Sequence, residues 1–280
     1  MTPPLLEVRD ARKSYAAGGL LSRRRFDAVG GVSFALEAGR PEIFAIIGES
    51  GSGKTTLARM ILAMTPPSAG AIRFEGNDVA ALRGRRERLR FMSRVQPIFQ
   101  NPFEAFNPLK RVDRYLFLTA ARFKGARSGA DRARLAEAAL EKVGLSLAEV
   151  RGRFPHELSG GQLQRIAIAR ALIPEPALIV ADEPVSMVDA SLRMAIVGLF
   201  RRLRDALGVS IVYITHDLAT AYHLCDRIMI MRRGEVVEAG DARTVLDDPR
   251  HPYSILLRDS VLAPEPPPSE RRERNPRCAR

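Results

Sequence analysis

A chain of 280 residues, of which 46% are hydrophobic and 27% charged, is long enough for one large α/β domain or for a core with an inserted subdomain. No stretch approaches the roughly 18 uncharged apolar residues of a transmembrane helix, and residues 1–4 lack the basic-then-apolar pattern of a secretory signal. We therefore expect any association with a membrane to come through a partner.

The net charge of +12 allows two interpretations. One is a surface for nucleic acid or for an anionic membrane, and the other is a solvated surface rich in arginine. We favour the second because the arginines are scattered, apart from clusters at 23–25, at 83–90 and in the C-terminal tail. Cys225 and Cys278 form no Cys-x-x-Cys pair, which indicates a reducing compartment and argues against a zinc site or a cysteine-ligated cluster.

The first part of the chain predicts strands around a loop and a helix. Leu5–Arg9 is typical of a strand, residues 16–31 are rich in Gly and Arg and predict a loop, and Val32–Leu36 alternates like an exposed strand. Glu42–Ile47 is a continuous apolar run that ends at a glycine, which predicts a buried parallel strand feeding a turn. Thr55–Met64 then has helical character.

The composition changes between about residue 95 and residue 157, where Phe, Pro and Asn are followed by a stretch of helical character. This segment predicts a mostly helical insertion with a helix at Ala130–Val143. Two short β-branched runs, Ala177–Ala181 and Val209–Ile214, predict central strands of the core. A last β portion is expected at Arg227–Ala239, turning at Gly234, and a disordered tail at 263–280.

A glycine-rich loop follows the predicted strand at 42–47 and opens the predicted helix. It fits Gly-x-x-x-x-Gly-Lys-[Ser/Thr] with the residues Gly48, Glu49, Ser50, Gly51, Ser52, Gly53, Lys54 and Thr55, followed by Thr56. Several backbone N–H groups must meet the phosphate oxygens at once, which requires a chain that curls without Cβ clashes. Lys54 is expected to reach the β and γ phosphates, and the Thr55 hydroxyl to ligate Mg²⁺.

Two acids, Asp182 and Glu183, end the apolar run that begins at Leu178. Consecutive residues of a regular strand point to opposite faces, so the two carboxylates are expected to have different tasks. Asp182 is predicted to hold Mg²⁺, directly or through water, and Glu183 to orient and deprotonate the attacking water.

Leu158-Ser159-Gly160-Gly161-Gln162 resembles the LSGGQ signature of ABC ATPases, and it precedes the two acids as in that family. From the residues alone, Ser159 can cap the helix that follows, and Gly160 and Gly161 allow backbone N–H groups to approach a phosphate. The resemblance implies an α/β fold of the P-loop NTPase type, with an N-terminal antiparallel β portion and an inserted helical subdomain. It also implies that ATP with Mg²⁺ is hydrolysed between two such subunits, each ATP facing the other subunit's signature, including Gln162.

The same family resemblance assigns further residues. Tyr15 lies where these proteins stack an aromatic ring on adenine, and Gln100 resembles the glutamine that contacts the metal and the water. Ser186–Asp189 resembles the D-loop, although Met187 and Val188 depart from its commonest form. His216 resembles the switch histidine that contacts the γ-phosphate. The resemblance covers about residues 5–262, so we predict one ATPase domain at 1–262 that contains the helical subdomain at about 95–170.

Three segments resemble the oligopeptide and dipeptide importer branch: the insertion before Ala28–Phe34, the run from Phe99 to Pro108, and Asp248–Tyr253. This branch implies a second ATPase subunit in a homodimer or heterodimer, two transmembrane permeases, an external solute-binding protein and a place at the cytoplasmic face of the membrane. One alternative is a soluble ATPase partner of an enzyme complex of the carbon–phosphorus lyase kind. A nucleic-acid ATPase is less favoured, and we expect no nucleic-acid partner.

Overall fold

Two β-sheets form the framework of the protein. The computed structural model describes residues 3–17, 24–101, 103, 105–186 and 188–262. The first sheet is antiparallel, with strand order β2-β1-β4-β5; its strands are β1 (Leu6–Ala17), β2 (Arg24–Leu36), β4 (Ala69–Phe74) and β5 (Asn77–Asp78). The second sheet has the order β10-β9-β3-β8-β7-β6; its strands are β3 (Ile43–Ile47), β6 (Val95–Ile98), β7 (Leu178–Asp182), β8 (Ser210–Thr215), β9 (Arg227–Arg232) and β10 (Glu235–Asp241).

The helices lie between and around the strands. They are α1 (Lys54–Ile61), α2 (Arg85–Arg94), α3 (Val112–Lys124), α4 (Gly129–Glu141), α5 (Leu147–Val150), α6 (Gly160–Leu172), α7 (Ala190–Leu207), α8 (Leu218–Leu224), α9 (Ala242–Asp247) and α10 (Pro252–Leu262). None of the helices in the described part of the chain is both long enough and apolar enough to cross a bilayer.

The central strands confirm the sequence prediction for the core. Strands β9, β3, β8, β7 and β6 are mutually parallel along the sheet, and β10 closes it antiparallel to β9. All five residues of β3 and all six of β8 are buried. β3 is apolar throughout, and β8 has Ser210 and Thr215 only at its two ends, because both faces of the sheet are covered.

The two faces of this sheet belong to two different apolar cores. Along β3, Ile43, Ala45 and Ile47 pack into the core that includes the helical insertion. Phe44 and Ile46 point to the other side, where they join the core made with α1 and the antiparallel sheet. The alternation follows from the two-residue period of a strand. The sheet is therefore the shared wall between the two halves of the molecule.

The predicted loop at residues 16–31 is largely wrong. β2 begins at Arg24 and pairs with β1 in antiparallel register, with Tyr15 opposite Phe26 and Lys13 opposite Val29. Gly31 takes φ +108°, and a register shift nearby accommodates the two glycines within the strand. Cross-strand pairing thus outweighs the turn-forming local composition. Residues 18–23 of the predicted loop lie outside the described residues, as does the predicted tail at 263–280.

The helical insertion is present as α3, α4, α5 and α6, and α4 falls close to the predicted helix. Leu116, Leu140 and Leu163, from three of these helices, are fully buried in one core. The start of the predicted segment needs a correction, since Val95–Ile98 is β6 of the core sheet. Among the described strands it pairs with β7 alone, and such an edge position tolerates Pro97. Four residues that include a Gln and a Pro do not carry a readable strand pattern.

Gly70 tests the packing of the antiparallel sheet. It has φ +78°, and a Cβ there would lie 2.1 Å from the backbone oxygen of Asp10, which belongs to the irregular part of β1. Gly125, at φ +66°, has open space around its missing Cβ and serves as a matched control. We expect Gly70→Ala to lower the free energy of unfolding by about 3 kcal/mol and Gly125→Ala by about 1 kcal/mol, measured by urea denaturation. Equal losses for the two variants would contradict the close contact at Gly70.

Candidate nucleotide-binding site

The glycine-rich loop occupies the predicted position between β3 and α1. A Cβ at Gly48 would lie 2.1 Å from the backbone oxygen of Met231, and one at Gly53 would lie 2.2 Å from that of Ala28. Gly53 also takes φ +101°, which other residues adopt only under strain. The loop is therefore wedged between β2 and the end of β9. Directly after it, the first turn of α1 presents N–H groups that have no partner within the helix.

Lys54 is buried within this loop. Its Nζ donates hydrogen bonds to the carbonyl oxygens of Gly48 (2.7 Å) and Glu49 (2.8 Å), and it lies 3.4 Å from the Ser52 hydroxyl. Burial lowers the pKa of Lys54, while the nearby charges of Glu183 and Asp182 act in the opposite direction. The ammonium group thus stands between the loop and two carboxylates.

The loop is also held from outside, by contacts that the sequence analysis did not predict. The Gly234 N–H donates to the Ser52 carbonyl (3.0 Å), and the Gly234 carbonyl accepts from the Gly30 N–H (2.8 Å). The hydroxyl oxygen of Tyr253 accepts a hydrogen bond from the Glu49 N–H (2.9 Å). Gly234 was identified only as a hairpin turn, and the segment containing Tyr253 only as a family feature. Neither pattern indicates a contact with a loop about 200 residues away.

Asp182 and Glu183 have different partners. Asp182 ends β7, and its carboxylate hydrogen-bonds the side chain of Thr55. Burial raises the pKa of Asp182, and the Thr55 hydrogen bond and the charge of Lys54 oppose that shift. Glu183 follows the strand in a left-handed conformation at φ +46°, and its N–H donates to the Ile214 carbonyl (2.9 Å). Strain of this kind in a non-glycine residue is typical of functional sites.

Glu183 joins two of the other predicted residues. Gln100 Nε2 donates to Glu183 Oε2 (2.8 Å), and His216 Nδ1 lies 3.2 Å from Glu183 Oε1. The three residues follow β6, β7 and β8, neighbouring parallel strands whose carboxyl ends share one edge of the sheet. The Glu183 side chain is only 15% exposed, whereas that of His216 is 62% exposed. The geometry therefore places a largely covered carboxylate beside an accessible imidazole.

The signature residues form the start of α6. Ser159 Oγ accepts from the Gln162 N–H (3.2 Å), and Gln162 Oε1 accepts from the Ser159 N–H (3.0 Å), which is a reciprocal cap of the helix. A Cβ at Gly161 would lie 2.6 Å from Leu192 of α7, so the helix start packs closely. Within the described ranges, no hydrogen bond or ion pair joins the signature to residues 48–56.

The remaining predicted residues lie at the periphery. Tyr15 is 41% exposed on β1, and the Lys13 ammonium lies 5.3 Å from its ring centroid. Asp189 is exposed at the N-cap of α7, and Ser186 Oγ donates to the Glu183 carbonyl (2.9 Å). Met187 lies outside the described residues. Of the loop residues, Glu49, Ser50, Gly51 and Thr55 are exposed and Thr56 is half-buried.

A phosphate loop on a parallel core, with a helical insertion on one side and an antiparallel sheet on the other, defines the class of ATP-binding cassettes. Comparison with known proteins agrees: the family model described as "ABC transporter" matches residues 29–186, more than half of the chain. The protein belongs to the ABC transporter family.

Curated relatives extend the similarity over nearly the whole chain. The dipeptide transport ATP-binding protein DppF of Escherichia coli is 38% identical over 273 residues, covering 97% of this chain and 80% of DppF. The oligopeptide transport ATP-binding protein AmiF of Streptococcus pneumoniae is 35% identical over 266 residues, covering 95% of this chain and 84% of AmiF.

Solved structures show the same fold. A dimeric, post-hydrolysis form of the ATP-binding cassette MJ0796, bound to ADP and Pi, matches with a TM-score of 0.74 and 28% identity. The match covers 85% of this chain and 99% of MJ0796. CbiO1 from Clostridium perfringens, part of the transporter complex CbiONQ, also has a TM-score of 0.74, at 24% identity, covering 93% of this chain and 96% of CbiO1.

Lys54→Met tests the loop as a phosphate site. The substitution keeps the length of the side chain but removes the one ammonium group that the loop carbonyls surround. A hydrogen bond to a charged group contributes about 1.5–3 kcal/mol, so we expect the Kd for a fluorescent ATP analogue to rise about 10- to 100-fold. The control is Lys110→Met, at an exposed lysine in a different region, with unchanged Kd. Equal affinity of both variants for the analogue would refute the assignment.

Proposed function

We propose that this protein is the ATP-binding and ATP-hydrolysing subunit of an importer for peptides or related small solutes. The observation that carries the proposal is that Gln100 and His216 both contact the carboxylate of Glu183. This cluster lies beside the phosphate loop, since the charge of Glu183 raises the pKa of Lys54 against the effect of burial. Relatives that carry dipeptide and oligopeptide transport names, each matched over most of its length, support the choice of cargo. These names favour an importer over the soluble partner of a carbon–phosphorus lyase.

In this function the ATP phosphates lie in the cradle at residues 48–56. The close packing of Gly48 and Gly53 supports this role, because a Cβ at either position would collide with a neighbouring backbone oxygen. A loop without side chains there can pack against β2 and β9 and still present its N–H groups to the phosphates. Lys54 leaves the loop carbonyls and pairs with the β and γ phosphates. Tyr15 stacks its half-exposed ring on the adenine.

The residues present also fit Mg²⁺. Thr55, Asp182 and Gln100 offer oxygen ligands, and the Thr55 side chain already contacts the Asp182 carboxylate. Mg²⁺ prefers one or two carboxylates together with substrate phosphates to a cage made only of protein. When bound, the ion would neutralise the charge of the β and γ phosphates.

Glu183 acts as the base that orients and deprotonates the attacking water. It takes a left-handed conformation directly after β7, and its carboxylate contacts Gln100 and His216. Gln100 holds one carboxylate oxygen, which leaves the other for the water and for His216. The exposed imidazole of His216 is free to reach the γ-phosphate.

A second ATPase subunit, identical or different, completes the site. Among the described residues, neither of the exposed Ser159 and Asp189 makes a hydrogen bond or ion pair with the phosphate loop, which supports a head-to-tail dimer in which they face the partner's nucleotide. The ATPase domain spans residues 1–262, and its helical subdomain follows β6. Two transmembrane permeases hold the subunit at the cytoplasmic face of the membrane, and an external solute-binding protein acts through them.

Glu183→Gln should separate binding from hydrolysis. The amide keeps the hydrogen-bonding shape but cannot accept a proton, so we expect hydrolysis to fall about 10²- to 10⁴-fold while the Kd for ATP changes less than about threefold. Phosphate release and equilibrium binding provide the two measurements. Glu141→Gln, an exposed substitution at the end of α4, is the control with normal turnover. Normal turnover in Glu183→Gln would exclude Glu183 as the base.

Ser159→Ala tests the signature through a matched pair. Ser159 and Ser128 both cap a helix by accepting a backbone N–H, at 3.2 and 3.0 Å. We expect each alanine variant to lose about 1 kcal/mol of stability in urea denaturation. Only Ser159→Ala is expected to lower ATP turnover at saturating ATP, by about tenfold or more, because only that hydroxyl faces the second nucleotide. Parallel losses of turnover in both variants would indicate that Ser159 has no role beyond capping.

The proposed transport role is tested by co-purification: the Glu183→Gln variant carries a tag and is isolated from membranes in the presence of ATP, together with the proteins bound to it. Recovery of two polytopic subunits and a second ATPase is the expected result, and reconstitution with peptides then measures cargo. Recovery of soluble partners alone, with the chain absent from membranes, would refute the importer while leaving the ATPase intact.

A further inference from the structure

The segment Asp248–Tyr253 reaches the phosphate loop from the opposite end of the chain. Tyr253 is the second residue of α10 and is only 4% exposed. Its hydroxyl oxygen accepts a hydrogen bond from the N–H of Glu49, the residue directly after Gly48, at 2.9 Å. The proposed function gives no role to Asp248–Tyr253. The last residue of this segment nevertheless hydrogen-bonds to the backbone of the phosphate loop.

The tyrosine is held firmly on several sides. The N–H groups of Arg250 and His251 donate to the two carboxylate oxygens of Glu238 on β10, at 2.9 and 3.1 Å. His251 Nδ1 in turn accepts from the Tyr253 N–H (3.1 Å). The guanidinium of Arg232, at the end of β9, lies 4.7 Å from the centroid of the phenol ring. Backbone and ring are therefore both fixed relative to the hairpin β9–β10.

The contact between Tyr253 and Glu49 differs from the contacts that Lys54 makes within the loop. Lys54 binds the Gly48 and Glu49 carbonyls, and those hydrogen bonds must break when its ammonium turns to a phosphate. The hydrogen bond to Tyr253 uses an N–H and lies on the side of α10, so it can persist when phosphate binds. Burial raises the pKa of Tyr253, so the phenol stays neutral at physiological pH, and its oxygen accepts the hydrogen bond from the Glu49 N–H.

We propose that Tyr253 is a positioning residue for ATP binding: its hydroxyl fixes the first peptide of the phosphate loop in the binding conformation. The proposal rests on the proposed ATPase function and adds the C-terminal helix to the nucleotide site. Without the hydroxyl, the Glu49 N–H loses its partner, and the loop rotates to find another. ATP then binds more weakly, because part of its binding free energy is used to return the loop to the binding conformation.

Tyr253→Phe removes the hydroxyl and keeps the ring that packs against Arg232. We expect the Kd for ATP to rise about 3- to 10-fold, which corresponds to the loss of one neutral hydrogen bond. KM for ATP should rise by the same factor, while turnover at saturating ATP changes less than about twofold. The matched control is Tyr115→Phe, whose hydroxyl also accepts a backbone N–H, that of Asn107 at 2.7 Å, in the helical insertion. Its Kd should not change.

Hydrogen exchange measured without nucleotide separates positioning from a general structural role. In Tyr253→Phe, faster exchange is expected in the peptide that contains Glu49, with unchanged exchange in β3 and β8 and a melting temperature within a few degrees of wild type. An unchanged Kd would overturn the proposal, as would faster exchange across the whole molecule with a matching fall in melting temperature. If the wild-type protein itself failed to bind ATP, the proposed function would fail instead.

Discussion

The site depends on one geometric constraint, which is that five parallel strands end at the same edge of one sheet. Along this edge the order is β9, β3, β8, β7 and β6, so residues far apart in sequence become neighbours. Lys54 follows β3, His216 follows β8, Glu183 follows β7 and Gln100 follows β6. The order is rigid because the strands between them are buried on both faces, and a slip by one residue would exchange the two apolar cores.

Charge balance is the second constraint at this edge. Lys54 stands near two carboxylates, and burial lowers the pKa of Lys54 while it raises that of Asp182. The buried charges therefore stabilise one another at the cost of desolvation. A triphosphate adds further negative charge beside Asp182 and Glu183, which a single ammonium group cannot compensate. In the proposed function, the N-terminus of α1 and a divalent cation held by Thr55 and Asp182 would supply the remaining positive charge.

Much of this arrangement is readable from the sequence, for identifiable reasons. β3 is a continuous apolar run and β8 is a β-branched run, because both strands are covered on both sides, and the phosphate loop has a composition that its packing demands. The pairing that extends β2 back to Arg24 is not local, because it depends on β1. β6 was missed because four edge residues with a proline lack a pattern. The left-handed conformation of Glu183 has no sequence signal, because the residue is not a glycine.

The contacts around the loop explain why distant segments bear on one small site. Four residues from distant segments lie against the backbone of the loop rather than against its side chains. They are Ala28 of β2, Met231 and Gly234 of the β9–β10 hairpin, and Tyr253 of α10. Backbone contacts of this kind fix the peptide planes, and the peptide planes carry the N–H groups that meet phosphate. Among the described residues, the exposed Ser159 makes no hydrogen bond to this loop. In the proposed function, one chain therefore preorganises the phosphate cradle and the carboxylate of Glu183, whereas the open side of the nucleotide depends on a second subunit.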